Sequence, residues 1–437
     1  MPALGRYVQA LEQLQTLALR GKVRQVVGLV AEVSGLKLPV GSGVWLFSDG
    51  NGRVLGEVVG FRQDGLLVMP YSDTRGLKPG CLVEPAGSGA MVRVGPGLLG
   101  RVLDGLGEPV DGLGPIEWEA LYPLYNTPPH PMRRPLITQP VDVGVRVINA
   151  LLTVGKGQRI GIFAGSGVGK STLMGMIARH TSADVSVIAL VGERGRELKE
   201  FIERNLGEEG LKRSVVVVAT SDQPALVRMR AAYLATSIAE YFRDQGMDVV
   251  LMMDSVTRFA LAGREVGLSV GEPPTTRGFT PSVFAHLPRL LERAGTHEGG
   301  GSITGIYTVL VEGDDVSEPV SDAMRAILDG HILLSRELAE AGHYPAVDVL
   351  GSVSRLAEEL NPPEVLAAAR RLTELLAAYR RAQDLIDIGA YQQGTNPTID
   401  AAIRLKDAID RFLRQDVEEG VDLATSRKQL LELVGKA

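Results

Sequence analysis

Residues 159–172 read RIGIFAGSGVGKST: an apolar run, a glycine-rich turn, then Gly169-Lys170-Ser171-Thr172 opening the next segment. The order predicts a strand, a tight loop and a helix. Glycines at 165, 167 and 169 let the backbone curl tightly enough to aim several N–H groups at one point. A helix beginning near Lys170 turns its positive end toward the same point. Both features suit a phosphate, so the candidate cradle is Ala164, Gly165, Ser166, Gly167, Val168, Gly169, Lys170, Ser171 and Thr172. Lys170 would reach the outer phosphates of a nucleotide, and Ser171 would offer its hydroxyl to Mg²⁺. The strict pattern begins with glycine; here that position is Ala164. A purely structural glycine-rich turn is the alternative, but strand, turn, Lys-Ser pair and following helix all agree.

Outward from this stretch, residues 93–362 alternate strands with helices. VSVIALV (185–191), SVVVVAT (214–220), DVVLMMD (248–254) and ITGIYTVLV (303–311) are continuous apolar runs, as in strands of a parallel sheet covered on both faces. Helical patterns fall between them, at 196–206 and 224–243. Residues 22–92 have a different texture. VVGLVAEV, VWLF, RVLGEVVGF and GLLVMP alternate with Gly, Pro, Asn and Asp turns, which predicts a small antiparallel barrel serving mainly as an assembly collar. After Pro362-Pro363, apolar residues from Val365 to Ile386 recur at 3–4 spacing, and a second helix spans about 398–414. Residues 4–19 place Leu4, Val8, Leu11, Leu14 and Ala18 on one helical face. So short a helix is marginal alone in water; it packs on its own barrel or docks on another protein. The expected fold is therefore α/β: a central parallel sheet carrying the loop, an N-terminal antiparallel β-barrel and a C-terminal helical bundle. Its divisions are 1–20, 21–92, 93–362 and 363–437.

The bulk numbers agree. A chain of 437 residues, 45% hydrophobic and 22% charged, is ordinary globular material with room for two or three domains. A net charge of −6 argues against a protein that mainly coats nucleic acid. The single cysteine, Cys81, excludes an internal disulfide and suits a reducing compartment. No apolar run approaches the ~18–20 residues that span a bilayer, and MPALGRYVQALEQL holds no signal core. The expectation is a cytoplasmic protein that can still dock on a membrane-bound machine.

Two carboxylates stand out. Asp254 ends an apolar strand, 84 residues after Lys170, where phosphate-transfer enzymes hold the shell of Mg²⁺. Glu193, in VGERGRE (191–197), follows the end of another strand on the side where phosphates should lie. Hydrolysis needs such a group to orient the attacking water; a surface ion pair with Arg194 or Arg196 is the other reading. Arg194 would contact the γ-phosphate or a local carboxylate. GEPPTTRGFTP (271–281) is a surface connection or a working loop, and THEGGG (296–301) a flexible turn.

These motifs carry a resemblance. GRVLDGLGEPVDG (100–112), PVDVGVRVINALLTVGKGQRIGIFAGSGVGKS (140–171), VGERGRE and PAVDVLGSVS (345–354) are similar to the alpha and beta subunits of rotary ATP synthases. More narrowly, RGFTPSVFAHLPRLLERAG (277–295), TVLVEGDDVSEPVSDAMRAILDGHILLSR (308–336) and DLIDIGAYQQGTNPTIDAAI (384–403) resemble the bacterial type III export ATPases. The flagellar branch fits best, and the resemblance runs from about residue 22 to the end.

The resemblance implies a RecA-like core that hydrolyses ATP with Mg²⁺ to energise flagellar protein export. Lys170 and Ser171 match the phosphate and Mg²⁺ residues. Glu193 matches the catalytic carboxylate, with Arg194 beside it, and Asp254 the Mg²⁺-side aspartate. Tyr344 matches the tyrosine that stacks on adenine, while Val417 replaces a second aromatic, which implies looser base recognition. Arg355 matches the arginine finger that reaches a neighbour's nucleotide. Such a finger is worth roughly 10³–10⁵ in turnover, and a chain carrying both Glu193 and Arg355 completes every site in a homo-hexamer. The non-catalytic ATP synthase subunit lacks the carboxylate at the Glu193 position. The implied partners are a stator-like regulator on the N-terminal helix, a central stalk gripped by loop 271–281, chaperone–substrate complexes and a membrane export gate. No nucleic acid is expected, and the location is cytoplasmic, peripheral to the inner-membrane export apparatus. A virulence injectisome is the closest alternative machine. A ring helicase on RNA is disfavoured by the acidic balance and by the absence of an aromatic-plus-basic cluster in 22–92. A structural ring using ATP only as assembly glue is the third alternative.

Overall fold

Residues 19–48, 52–87, 90–311 and 318–435 are described by the computed structural model. The amphipathic segment expected at 4–19 lies outside them, apart from Leu19. Six strands follow: β1 (Gly21–Val27), β2 (Val30–Ser34), β3 (Gly43–Phe47), β4 (Arg53–Arg62), β5 (Gly65–Pro70) and β6 (Leu82–Pro85). They close as an antiparallel barrel in the order β1-β2-β5-β4-β3-β6. Alternation explains the closure: Val23, Val33, Val44, Leu46, Val58 and Val83 point inward and are buried together with Cys81. Register shifts at Val23/Gln25 and Val58/Gly60 bend the two longest strands, as bulges do in small barrels. This unit comprises the described residues up to Met91 with Glu265–Pro273.

The remaining residues form a second compact unit. Its main strands are β7 (Val102–Asp104), β8 (Arg159–Ala164), β9 (Val185–Val191), β10 (Ser214–Ala219), β11 (Asp248–Asp254), β12 (Ser302–Leu310), β13 (Gly330–Leu334) and β14 (Val347–Ser354). The sheet order is β14-β13-β8-β12-β11-β9-β10-β7, with the short strand Gly295–Thr296 against β12. The four apolar runs of the sequence are β9 to β12 and are almost wholly buried. The sheet is mixed rather than parallel throughout. β14 runs antiparallel to β13, and Gly295–Thr296 antiparallel to β12. Gly295–Thr296 reaches β12 through residues 297–301, too few for a parallel crossover. Thr296 therefore belongs to a strand, not to the turn expected at 296–301.

Helices alternate with the strands along the chain. The ones that matter here are α1 (Lys170–His180), α2 (Ala225–Asp244), α3 (Val256–Val270, whose residues from Glu265 onward belong to the first unit), α4 (Pro363–Asp387), α5 (Pro397–Leu413) and α6 (Leu423–Val434). The helix expected at 196–206 is instead Gly195–Glu200 followed by a π-turn at Phe201–Leu206. That turn lies so close to α1 that a Cβ on Gly175 would sit 2.6 Å from the Asn205 carbonyl oxygen. In α4, Val365, Ala368, Leu372, Leu375, Ala378 and Ala382 form the buried stripe. α5 and α6 start at side-chain caps, Asn396 accepting from Thr398 N–H at 3.0 Å and Asp422 from Thr425 N–H at 2.7 Å. The core of these C-terminal helices is continuous with that of the sheet.

Candidate active site

β8 ends at Ala164, which pairs with Leu310 of β12 and Leu334 of β13. Ala164 is fully buried, and its carbonyl accepts from Val311 N–H at 3.0 Å. It is an ordinary extended strand residue, so nothing in its geometry demands glycine. The demand falls later: Gly167 and Gly169 have φ of 81° and 91°, where side chains are strained. α1 starts at Lys170 with Gly169 as its cap. In sequence β8 leads to β9, while its neighbours in the sheet are β12 and β13. The chain thus leaves a crevice at the end of β8, the usual ligand position in open α/β sheets.

A cavity of about 710 Å³ opens there. Gly165, Ser166, Gly167, Gly169, Lys170, Ser171 and Thr172 line one side, and Glu193, Arg194, Thr257, Arg258 and Arg336 others. The Lys170 ammonium ion-pairs with Asp254 and lies 3.5 Å from Glu193 Oε1. Asp254 ends β11 with its side chain 3% exposed, and its Oδ1 accepts from Thr308 Oγ1 at 2.7 Å. Glu193 follows β9 through Gly192, at φ 72°. Its loop is pinned by the Gly192 N–H to Ala219 O at 2.6 Å and the Ser221 N–H to Glu193 O at 3.0 Å. Glu193 is therefore no surface ion-pair residue: its cation is Lys170, and its buried Oε1 makes no hydrogen bond. Burial pushes its carboxyl above the ordinary value. Lys170 and Arg258 pull it back, and Asp254 pushes it further up.

Arg194 resolves differently. Its side chain is exposed and pairs with Glu197 at 3.7 Å while lining the cavity. Ser171 and Asp254 supply hard oxygen donors beside the glycine loop. One or two protein oxygens are what Mg²⁺ takes when phosphates provide others, so the donor set fits that ion.

Tyr344 lines a second cavity of about 290 Å³, which shares Gly169 and Thr172 with the first. A Cβ on Gly169 would lie 3.4 Å from the Tyr344 ring. Val417 lines the same cavity, as do Pro345 and Arg414–Asp416. A half-exposed ring in one cavity with Val417, Leu173 and Met176 suits a flat apolar-faced group.

Arg355 is elsewhere. β14 passes Leu334 at Val347 and Gly330 at Ser354, so it runs from the phosphate edge of the sheet to the opposite edge. Arg355 follows, its N–H bonded to Asp329 O at 3.1 Å and its Nη2 to Arg325 O at 3.2 Å. The length of β8 alone separates these edges by about 17 Å. The exposed Arg355 side chain cannot serve the Lys170 of its own chain.

Sequence reasoning missed several residues. Thr308 holds Asp254 from the neighbouring strand, which only the β11–β12 register reveals. Arg258 packs against Gly192, where a Cβ would be 2.9 Å from its own Cβ. Its place one helical turn past Asp254 is a signal that could have found it.

Comparison with known proteins places these features in context. The family model of the ATP synthase alpha/beta nucleotide-binding domain matches residues 144–354, and that of the family's beta-barrel domain residues 23–87. The model of the T3SS EscN ATPase C-terminal domain matches 361–432. The chain is 53% identical over 436 residues to a flagellum-specific ATP synthase of Bacillus subtilis, covering 98% of each. It is also similar to the assembled ATPase EscN of the enteropathogenic E. coli type III secretion system, with 46% identity and a TM-score of 0.90 over 95% of this chain and 100% of that one. EscN in complex with its central stalk EscO aligns with 45% identity and a TM-score of 0.88, over 95% and 100%.

Proposed function

This chain belongs to the ATP synthase alpha/beta family, in its type III secretion branch, and we propose that it hydrolyses ATP as a ring to energise flagellar protein export. The observation that carries the chemistry is Glu193: a largely enclosed carboxylate in the loop's cavity, its Oε1 3.5 Å from the lysine of the phosphate loop and making no hydrogen bond. The glycine loop and the first turn of α1 bind the phosphates through backbone N–H groups. Lys170 exchanges Asp254 for the β- and γ-phosphates and neutralises them. Glu193 orients water for in-line attack on the γ-phosphate, and its depressed acidity makes it the better acceptor of the water's proton. Mg²⁺, held by Ser171 and on the side of Asp254, would supply further charge neutralisation across the phosphates. Arg258 and Arg194 add positive charge at the rim of the site. Tyr344 stacks on the base, opposite Val417.

Arg355 acts in trans. Its position at the opposite edge of the sheet, with the assembled state of EscN, supports a homo-oligomeric ring, which we take to be a hexamer. EscN's complex with EscO supports a central stalk as partner, reached by loop 271–281. The domain division at 21–92, 93–362 and 363–437 belongs to the same reading, as do the regulator, chaperone–substrate and export-gate contacts. Among the described residues no helix is long and apolar enough to cross a membrane, in keeping with a cytoplasmic protein docked peripherally at the export apparatus. The flagellar machine is favoured over an injectisome by the flagellar-like segment DLIDIGAYQQGTNP at 384–397.

The test is Glu193→Gln. Binding of ATP is retained and turnover falls by roughly 10²–10⁴. Turnover within tenfold of wild type would remove Glu193 from the mechanism.

A further inference from the structure

Residues 414–422 connect α5 to α6, and residues 414–417 line the smaller cavity together with Tyr344. They are fastened far more heavily than most surface connections. Arg146, the first residue of the short helix Arg146–Leu151, is 8% exposed and lies at the carboxy-terminal end of α5. Its Nη1 donates to the carbonyls of Arg411, Phe412 and Arg414 at 3.3, 3.2 and 3.0 Å, and its Nη2 to Glu419 Oε1 at 2.6 Å. The first two carbonyls belong to the set that a helix end leaves without internal partners, and a cation there meets the negative end of the helix dipole.

Gln415 completes the knot. Its Oε1 accepts from the Arg146 N–H at 2.7 Å. Its Nε2 donates to Gly144 O at 2.8 Å and Glu419 O at 2.7 Å, and its backbone N–H donates to Tyr344 O at 3.0 Å. Both amide protons are therefore engaged within the protein, so Gln415 shapes the cavity and has no donor left to read a ligand. Arg179 of α1 adds a bond to Val417 O at 2.5 Å. Arg146 lines neither cavity; whatever it does to a ligand it does through this connection.

We propose that Arg146 is a positioning residue for the nucleotide base: through the α5 carbonyls and Gln415 it holds residues 414–417 at the distance from Tyr344 that a flat base fills. The proposal rests on the ATP reading above. Contact attraction falls steeply with distance, a gap of about 0.5–1 Å forfeiting a quarter to a half of it. A loosened wall therefore weakens the base and leaves the phosphate loop as it was.

The experiment compares the full-length wild type, Arg146→Lys and Glu419→Gln. It reads kcat and KM for ATP, and the dissociation constants of ADP and inorganic tripolyphosphate, with thermal melting followed by circular dichroism. Arg146→Lys is expected to raise KM for ATP and weaken ADP about five- to tenfold, with kcat falling less. Glu419→Gln shifts both the same way by less, and tripolyphosphate stays within about twofold. An unchanged ADP affinity in folded Arg146→Lys overturns the proposal, and so does an equal weakening of ADP and tripolyphosphate. If Arg146→Lys does not fold, the ratio of ADP to tripolyphosphate affinity in Glu419→Gln decides in the same way. A wild type that neither binds ADP nor hydrolyses ATP overturns the ATP reading itself, and this inference with it.

Discussion

At the scale of single residues, the site sets stability against chemistry. Burial raises the carboxyl of Glu193, so the folded state holds its proton more tightly than the unfolded one does. The stability linked to that proton is complete below the ordinary value of 4.5 and is lost as pH rises through the raised folded value. Glu193→Gln should therefore melt higher than wild type at neutral pH, without nucleotide, and the difference should vanish as the pH falls below 4.5. A variant that melts lower at neutral pH would contradict this. Thr308→Val removes the hydroxyl that Asp254 accepts and keeps the shape. A positioning hydrogen bond of this kind is worth about 10- to 100-fold in metal affinity or activity, and the Mg²⁺ dependence of turnover should show it. The two threonyl neighbours of the site also mark the limit of reading from sequence. Lys170, Ser171, Glu193 and Asp254 announce themselves by residue type and spacing, because phosphate chemistry admits few alternatives. Thr308 and Thr257 are ordinary letters in an apolar strand and a helix, and only strand register and helix phase bring them to the crevice.

At the scale of elements, α2 shows how a polar contact organises a nonpolar layer. Glu240 lies on its buried side, and Arg293 meets it with two bonds at 2.8 and 2.7 Å. The same guanidinium donates to Leu124 O at 2.7 Å and Ser237 Oγ at 2.8 Å. Both side chains are 1% exposed. Replacing Glu240 alone by Ala leaves a buried cation and should cost about 3–5 kcal/mol in denaturant unfolding. The double variant Glu240→Leu, Arg293→Met should recover much of that loss, since a buried pair is often replaceable by apolar side chains. An additive double variant would show that the two do not act together. The strands and long helices were legible because continuous apolar runs and 3–4 spacing survive any topology. The antiparallel edge strand β14 was not, because VDVLGSVS alternates no more clearly than a parallel strand would. Nor was the π-turn at 201–206, which packs closely on Gly175 of α1, a contact that no local spacing announces.

At the scale of the whole molecule, the separation of Arg355 from Lys170 predicts complementation. Glu193→Gln and Arg355→Ala should each be inactive as pure proteins. Mixed in equal amounts, they should regain activity at about a quarter of the sites, where an intact Glu193 meets a neighbour's intact Arg355. Activity of the wild type should rise more steeply than linearly with protein concentration. Mixed rings with no recovered activity would show that Arg355 serves no neighbouring site. The same separation has a genetic reading. If Arg355 acts in trans as proposed, a copy that has lost it would keep its own pocket sound and spoil the one beside it. In a cell expressing both alleles equally, the defect would fall on the pockets of healthy and mutant copies alike, at about half of all pockets. Loss of Lys170 would instead confine the chemical fault to the copy that carries it.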